Sequence, residues 1–143
     1  MTKFSNFKKQ GFTLIELAVV IGIIAILSAM ILFGITQYIS KGKDANIQGN
    51  LAILVPAGEV YYNIGNTYAG FCDSGSSVVN NAKAQIPPGT TLYCAVNANG
   101  DAWAACARKF ADASYAYCVD SRGVRKEINN SLCNQITPLT QCP

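Results

Sequence analysis

The side chain that stands out for its chemistry is Glu16, because it is the only ionisable residue between Phe12 and Ile35. A carboxylate inside a bilayer is costly, and such residues usually have a partner or a function. If the chain is cut between Gly11 and Phe12, a new α-amino group appears four residues from Glu16. An ammonium and a carboxylate attract each other far more strongly in an apolar layer than in water. Two explanations follow: Glu16 lies near the membrane interface and snorkels to it, or it forms an ion pair with a free amine, of the same chain or of a neighbouring copy.

Cysteine supplies the second kind of chemistry. The chain has six cysteines, all after the apolar run: Cys72, Cys94, Cys106, Cys118, Cys133 and Cys142. An even number in a small region behind a membrane segment predicts disulfides formed in an oxidising compartment. Zinc binding is the alternative, but the sequence has no C-x-x-C spacing and no histidine. We therefore predict disulfides and no metal site.

The lack of histidine also excludes most common catalytic arrangements. No Ser-His-Asp or Cys-His group can be built, and no glycine-rich phosphate loop is present. A thiol–disulfide enzyme would need a C-x-x-C pair. Asp112 and Asp120 are too isolated in sequence to form a calcium loop and are interpreted as turn residues. We expect no catalytic residues, no cofactor and a protein that is not an enzyme.

The apolar run that carries Glu16 is long enough to cross a membrane. Its 24 residues would span about 36 Å as a helix, against a hydrocarbon core of about 30 Å. Lys3, Lys8 and Lys9 precede it, and the eight remaining basic residues balance eight acidic ones. By the positive-inside rule the basic end lies in the cytoplasm. Because the basic residues and Gly11 come before the run, it does not read as a secretory signal that is removed after its apolar segment.

The stretch KKQGFTLIEL, residues 8–17, resembles the class III signal of type IV pilins and of the pseudopilins of type II secretion. The shared pattern is a short basic leader, a glycine, Phe-Thr-Leu-Ile-Glu and an apolar helix. The resemblance is close from Lys8 to about Gln37 and only architectural afterwards. It implies that a prepilin peptidase cleaves between Gly11 and Phe12 and that the amine of Phe12 is methylated. It also implies that Glu16 pairs with the amino terminus of an adjacent subunit.

The pattern and the resemblance together divide the chain into four segments. We expect a removed leader at 1–11, a transmembrane and filament-core helix at 12–35, an amphipathic half of the same helix at 36–66, and a globular head at 67–143. The predicted fold class is α+β, with the long helix packed on a small, disulfide-bonded antiparallel sheet. The amphipathic half is predicted from apolar residues that recur three and four positions apart: Ile47, Leu51, Leu54, Gly58, Tyr61 and Ile64. Four charged residues are predicted to lie off this stripe: Lys41, Lys43, Asp44 and Glu59.

Interior breaks and strands complete the expected fold. Pro56 is expected to kink or break the helix, and residues 62–81 are expected to be the helix exit and a surface loop. Three strand-like runs, 90–98, 102–110 and 114–121, predict an antiparallel meander.

The lengths of the turns in this meander determine which cysteines lie opposite each other and could form disulfides. A three-residue loop after the first strand would place Cys94 opposite Cys106, whereas a two-residue Asn-Gly turn would place them on opposite faces. A similar count along the next loop places Cys106 near Cys118. The pairing of the first four cysteines therefore stays open. Cys133 and Cys142 enclose eight residues and resemble the disulfide-bounded C-terminal loop of many pilins, so these two are expected to pair.

The resemblance implies a structural function: a precursor in the bacterial inner membrane that is processed and polymerised into a type IV pilus at the extracellular surface. The implied partners are the prepilin peptidase, the inner-membrane assembly machinery and further copies that associate into a helical filament. The alternative is a minor pilin or a pseudopilin of a type II secretion or DNA-uptake apparatus. Phe33 and Gly34 stand where many major pilins have a proline, which weakens the case for a major pilin. A membrane-anchored binding module that is never cleaved is a third interpretation.

A group of basic residues raises the hypothesis of DNA binding by the head. It comprises Arg108, Lys109, Arg122, Arg125 and Lys126, with Tyr115 and Tyr117 nearby. A solvated strand edge explains these residues more simply. The balanced charge of the chain after Gly11 gives DNA binding no support.

Overall fold

The structure is a computed structural model that describes residues 11–134 and 138–143. Residues 1–10 of the expected leader, including its three lysines, lie outside the described residues. The chain forms two units, one up to Thr36 and one from Gln37 to Pro143. The elements in chain order are α1 (Leu14–Gly65), α2 (Ser77–Gln85), β1 (Leu92–Val96), β2 (Trp103–Arg108), β3 (Tyr115–Asp120), β4 (Arg125–Asn129) and a short 3-10 helix (Asn130–Leu132).

The described part of the first unit is mainly the amino-terminal portion of α1. This portion contains no proline, and its large apolar side chains are exposed along its length, from Leu14 to Leu32. The most apolar 18-residue window of α1 has a mean hydropathy of 2.9. Among the described residues, α1 is the one helix that is long and apolar enough to cross a membrane, judged by length and composition.

In the second unit, α1 presents its predicted apolar stripe to the sheet. The first four residues of the stripe are buried, which confirms that part of the prediction: Ile47, Leu51, Leu54 and Gly58. The prediction is wrong for Tyr61 and Ile64, which are exposed, Ile64 by 85%. Tyr62 packs against the core in their place, because it follows Gly58 by four residues and so lies on the same helix face.

Asp44 is also buried on this face, so the prediction that it lies off the stripe is wrong. Its carboxylate accepts hydrogen bonds from the backbone N–H groups of Phe110, at 2.6 Å, and Ala111, at 3.2 Å. These bonds offset the cost of burying a carboxylate. The ammonium of Lys43 lies over the Phe110 ring, 4.6 Å from its centroid. The loop after β2 is therefore held by two successive helix residues.

Pro56 does not break the helix, which continues to Gly65. Proline has no N–H group, so it cannot donate to the carbonyl of Ala52 four residues earlier. The flanking residues Leu51, Leu54 and Gly58 are buried in the core. We attribute the continuity of α1 to this packing, which outweighs the loss of one hydrogen bond.

The sheet is antiparallel, with strand order β1-β2-β3-β4. The first three strands lie within the predicted runs and confirm the meander. β4 was not predicted, because its sequence RKEIN lacks the alternation of apolar and polar residues that marks a half-buried strand. Its position at the edge of the sheet explains how it tolerates three consecutive charged residues.

Residues 77–81 of the loop predicted at 62–81 form the first part of helix α2, which corrects that prediction. The side chain of Ser76 caps this helix by accepting a hydrogen bond from the N–H of Val79. Tyr68 and Phe71, which also fall within the predicted loop, are buried in the core. The segment is therefore packed structure, because its aromatic residues contact Trp103 of β2.

Both faces of the central strands are buried. The face of the sheet towards α1 contributes four side chains to the hydrophobic core: Trp103, Ala105, Ala107 and Val119. The outer face contributes Ala104, Cys106, Ala116, Cys118 and Ile128, and the C-terminal segment covers it with Cys133, Leu139 and Cys142.

The disulfides join Cys72 to Cys94, Cys106 to Cys133, and Cys118 to Cys142. The expected pair of Cys133 with Cys142 is therefore wrong. The register gives the reason. Cys106 and Cys118 are opposite each other on the outer face, as the count along the loop predicted, and each takes its partner from the C-terminal segment that covers this face.

Cys94 has a different environment from the other strand cysteines. It lies opposite Ala105, the register of a two-residue Asn-Gly turn, and so on the face that packs against α1. Cys72, which follows the buried Phe71, is its partner. The alternative that separates Cys94 and Cys106 onto opposite faces is thus confirmed.

Candidate functional site

The candidate site begins where the chain enters α1. Gly11 and Phe12 precede the first helical residue, Leu14, in non-helical backbone. Phe12 is 80% exposed, and a Cβ atom added at Gly11 would meet nothing within 4 Å. Among the described residues, the Gly11–Phe12 peptide bond therefore lies before the helix and outside its hydrogen-bonding pattern.

Glu16 and Thr13 form a reciprocal cap on the first turn of α1. The backbone N–H of Thr13 donates to Oε2 of Glu16 at 2.9 Å, and the Thr13 hydroxyl donates to the same oxygen at 2.7 Å. The Thr13 hydroxyl oxygen accepts from the N–H of Glu16 at 3.3 Å. This is the capping box, in which a threonine and a glutamate three residues later satisfy each other's backbone groups. The T-x-x-E spacing of residues 13–16 signals this role, which we did not predict.

The cap leaves Glu16 able to take a second partner. Both donors bind Oε2, and within the described part of the chain Oε1 accepts no hydrogen bond. A carboxylate has about four lone-pair positions, so Oε1 can accept from an ammonium group while Oε2 keeps its two bonds. The site can therefore act as a helix cap and as an anion for an amine at the same time.

The remaining residues considered for chemistry have structural partners. All six cysteines are disulfide-bonded. Across residues 11–134 and 138–143, no group of three or more Cys, Asp or Glu side chains is arranged to hold a metal ion. Asp112 accepts from the N–H of Ser114 at 2.9 Å, which is a turn role.

Asp120 is a buried structural carboxylate. It accepts from the Arg122 guanidinium at 2.6 Å and from the backbone N–H groups of Arg122, Val124 and Cys142 at 3.0–3.2 Å. Burial alone would raise the pKa of Asp120. Its hydrogen bonds, that of Arg122 foremost, outweigh burial and lower the pKa below the usual value. Arg122 also donates to the carbonyl of Cys142 at 2.9 Å, so this pair fastens the C-terminal segment to the sheet.

The structure divides the basic residues that raised the DNA hypothesis. Arg108 donates to the carbonyl of Gly89 at 2.6 Å, and Arg122 is bound to Asp120. Lys109 pairs with Glu127 at 2.7 Å, and this hydrogen bond raises the pKa of Lys109. Among the described residues, the side chains of Arg125 and Lys126 have neither a hydrogen bond nor an ion pair. DNA binding by the head stays a hypothesis without support.

Similarity to known proteins is found in the amino-terminal segment of the chain. Residues 6–32 match the prokaryotic N-terminal methylation motif. Over 44 residues, 31% of this chain, the sequence is 50% identical to a type IV major alpha-pilin of Moraxella bovis. The match spans 28% of the length of that pilin. No solved structure matches the chain.

Proposed function

We propose that this chain is a prepilin that is processed and polymerised into a type IV pilus, because its amino-terminal segment matches the N-terminal methylation motif and is similar to that of a type IV major alpha-pilin. The observation that carries the proposal is the methylation motif at residues 6–32, which contains Gly11, Phe12 and Glu16. In this proposal the chain is a structural subunit and not an enzyme.

The precursor stage is the anchoring of α1 in the bacterial inner membrane. The apolar portion of α1 supplies the span, and the lysines of the leader stay in the cytoplasm. A prepilin peptidase cleaves the exposed bond between Gly11 and Phe12 and methylates the new amine of Phe12. The inner-membrane assembly machinery then draws the mature subunit into the filament.

In the filament, the apolar portion of α1 packs against copies of itself. Such contacts are heterologous and do not close, so they generate a helical filament. The methylated amine of Phe12 keeps its positive charge and pairs with Glu16 of a neighbouring copy, where Oε1 is available. In an apolar layer an unpaired carboxylate is penalised, so the pair selects the correct register of subunits. The disulfide-bonded head is exposed at the cell surface.

The proposal is tested by intact mass spectrometry of material sheared from cells that make this protein. We expect a chain that begins at N-methylated Phe12 and is six hydrogens lighter than the reduced chain, two for each of the three disulfides. Processed protein that stays in the membrane fraction and is missing from the sheared material would favour a minor pilin or a pseudopilin. An intact chain that begins at Met1 would contradict the proposal.

A further inference from the structure

A groove lies between α1 and the last two strands of the sheet. It has a volume of about 350 Å³. Its helix wall is formed by Gln48, Leu51 and Ala52, and its sheet wall includes Tyr117 and Arg125. Neither the Gly11–Phe12 bond nor Glu16 lines this groove.

Among the described strands β4 pairs with β3 alone, so the rim of the groove is a sheet edge. The carbonyl of Val124 and the N–H of Asn130 bond to the β3 side. Backbone groups alternate in direction along a strand, so the N–H and C=O groups of Arg125 and Glu127 point away from β3. No described residue bonds to them. The edge therefore offers a short ladder of donors and acceptors to an added strand.

The charges along this edge are not balanced. Glu127 is paired with Lys109 at 2.7 Å, whereas Arg125 and Lys126 have no partner among the described residues. Arg125 is opposite Val119 on the face towards α1, and Lys126 is opposite Cys118 on the outer face. One unpaired cation thus lies on each side of the free edge.

We propose that this edge and groove bind an extended acidic segment of a partner protein as an additional strand beside β4. The outward backbone groups of Arg125 and Glu127 supply the ladder bonds. Arg125 and Lys126 select adjacent acidic residues, because neighbouring side chains of an added strand point to opposite faces. The side chain of the added strand that points towards α1 binds in the groove.

The two unpaired cations distinguish between the molecules that could bind at this edge and groove. A second copy that pairs through its own β4 has one carboxylate to offer, that of Glu127, and this is already paired with Lys109, so it cannot supply both Arg125 and Lys126 with an acidic partner. Nucleic acid would use the same two cations, but it has no backbone that could continue the ladder of β4. An acidic polypeptide satisfies the two cations and the edge together.

The test uses the full chain in detergent micelles and a fluorescein-labelled peptide, Val-Thr-Val-Glu-Glu-Val-Thr-Val, followed by fluorescence anisotropy. We expect saturable binding that weakens with salt and falls about tenfold in the Arg125→Gln/Lys126→Gln double variant, from the loss of two cross-strand ion pairs. Lys83→Gln, a change of an α2 cation that lines a different pocket beside β1, is the matched control and should bind like the parent.

Two further probes separate strand addition from simple charge attraction. A peptide N-methylated at alternate backbone nitrogens keeps its charge but loses its ladder donors, and we expect it not to bind. A single-stranded DNA oligonucleotide should not displace the labelled peptide. The proposal is overturned if the parent peptide does not bind, if the double variant binds it as tightly as the parent chain, if N-methylation has no effect, or if DNA displaces it.

Discussion

The backbone of α1 at Gly58 lies directly against the indole ring of Trp103 in β2. A methyl group at Gly58 would come within 2.7 Å of the indole nitrogen and 2.9 Å of the adjacent ring carbon. Trp103 is fully buried, and its Nε1 has no hydrogen-bond partner in the described part of the chain. The indole is therefore held by packing, and the close approach of helix and sheet at this point depends on the missing side chain at residue 58.

Gly58→Ala should lower the free energy of unfolding of the head by about 1–3 kcal/mol, the usual cost of overpacking a core. Trp103 is the only tryptophan of the chain, so its fluorescence in urea, with the full chain in detergent, reports the change. Gly49→Ala is the matched control, because a Cβ atom there would meet nothing within 4 Å. Alanine is the better helix former, so the control should gain up to about 1 kcal/mol. Equal effects of the two substitutions would refute the packing argument.

The disulfide connectivity predicts which cysteine peptides stay linked after proteolysis without reduction. We expect the pairs Cys72–Cys94, Cys106–Cys133 and Cys118–Cys142. Replacing both Cys118 and Cys142 by serine should lower the free energy of unfolding by about 3 kcal/mol, because the bridge closes a loop with a sequence separation of 24. A peptide that links Cys133 directly to Cys142 would contradict the structure.

Asp120 should make the stability of the head depend on pH in acid. Its pKa is lowered in the fold, so the native state favours the ionised form more than the unfolded chain does. The stabilisation is complete above the unfolded value of about 3.9 and is lost as the pH falls through the lower folded value. Asp120→Asn should therefore be less stable than the parent at neutral pH, and the difference should shrink below about pH 4. A difference that stays constant with pH would exclude this role of the charge.

Gly11→Val should leave the chain as an uncleaved precursor in the membrane. The resemblance to prepilins places the peptidase site at this glycine, in accessible non-helical backbone. An immunoblot of membrane fractions should show a product longer by the eleven residues of the leader. Gly22→Ala, where a Cβ atom also meets nothing within 4 Å, is the control and should be cleaved normally. A mature-sized product from Gly11→Val would refute the processing site.

Local patterns predicted the elements that have local causes. The three-strand meander was predictable because turn residues separate runs rich in β-forming residues. β4 and α2 were missed because their stability comes from tertiary contacts: β4 lies beside β3, and α2 buries Val79 and Ala82.

Two buried carboxylates show a further limit of sequence reasoning. Asp44 and Asp120 are each satisfied by backbone N–H groups far away in the chain, those of Phe110 and Ala111 for Asp44 and that of Cys142 for Asp120. Spacing in the sequence cannot reveal such partners. The Cys118–Cys142 bridge was hidden for the same reason, since it depends on which segment covers the outer face. By contrast, the cap of Glu16 by Thr13 is local and was readable.

That cap gives Glu16 two separable roles, and two substitutions distinguish them. Glu16→Gln keeps a side chain that can complete the capping box but removes the charge. Thr13→Val keeps the charge and removes the hydroxyl hydrogen bond of 2.7 Å. Both variants retain the apolar run that inserts into the membrane and the Gly11–Phe12 site, so both should be inserted and cleaved.

The most direct measurement is the number of surface filaments, counted by electron microscopy, on cells that make either variant in place of the parent chain. If the charge of Glu16 pairs with the amine of Phe12 in a neighbouring copy, Glu16→Gln should accumulate as processed protein in the membrane without filaments. Thr13→Val should still form filaments. Filaments in parental numbers from Glu16→Gln, or their loss from Thr13→Val alone, would contradict the ion pair and leave Glu16 as a helix cap.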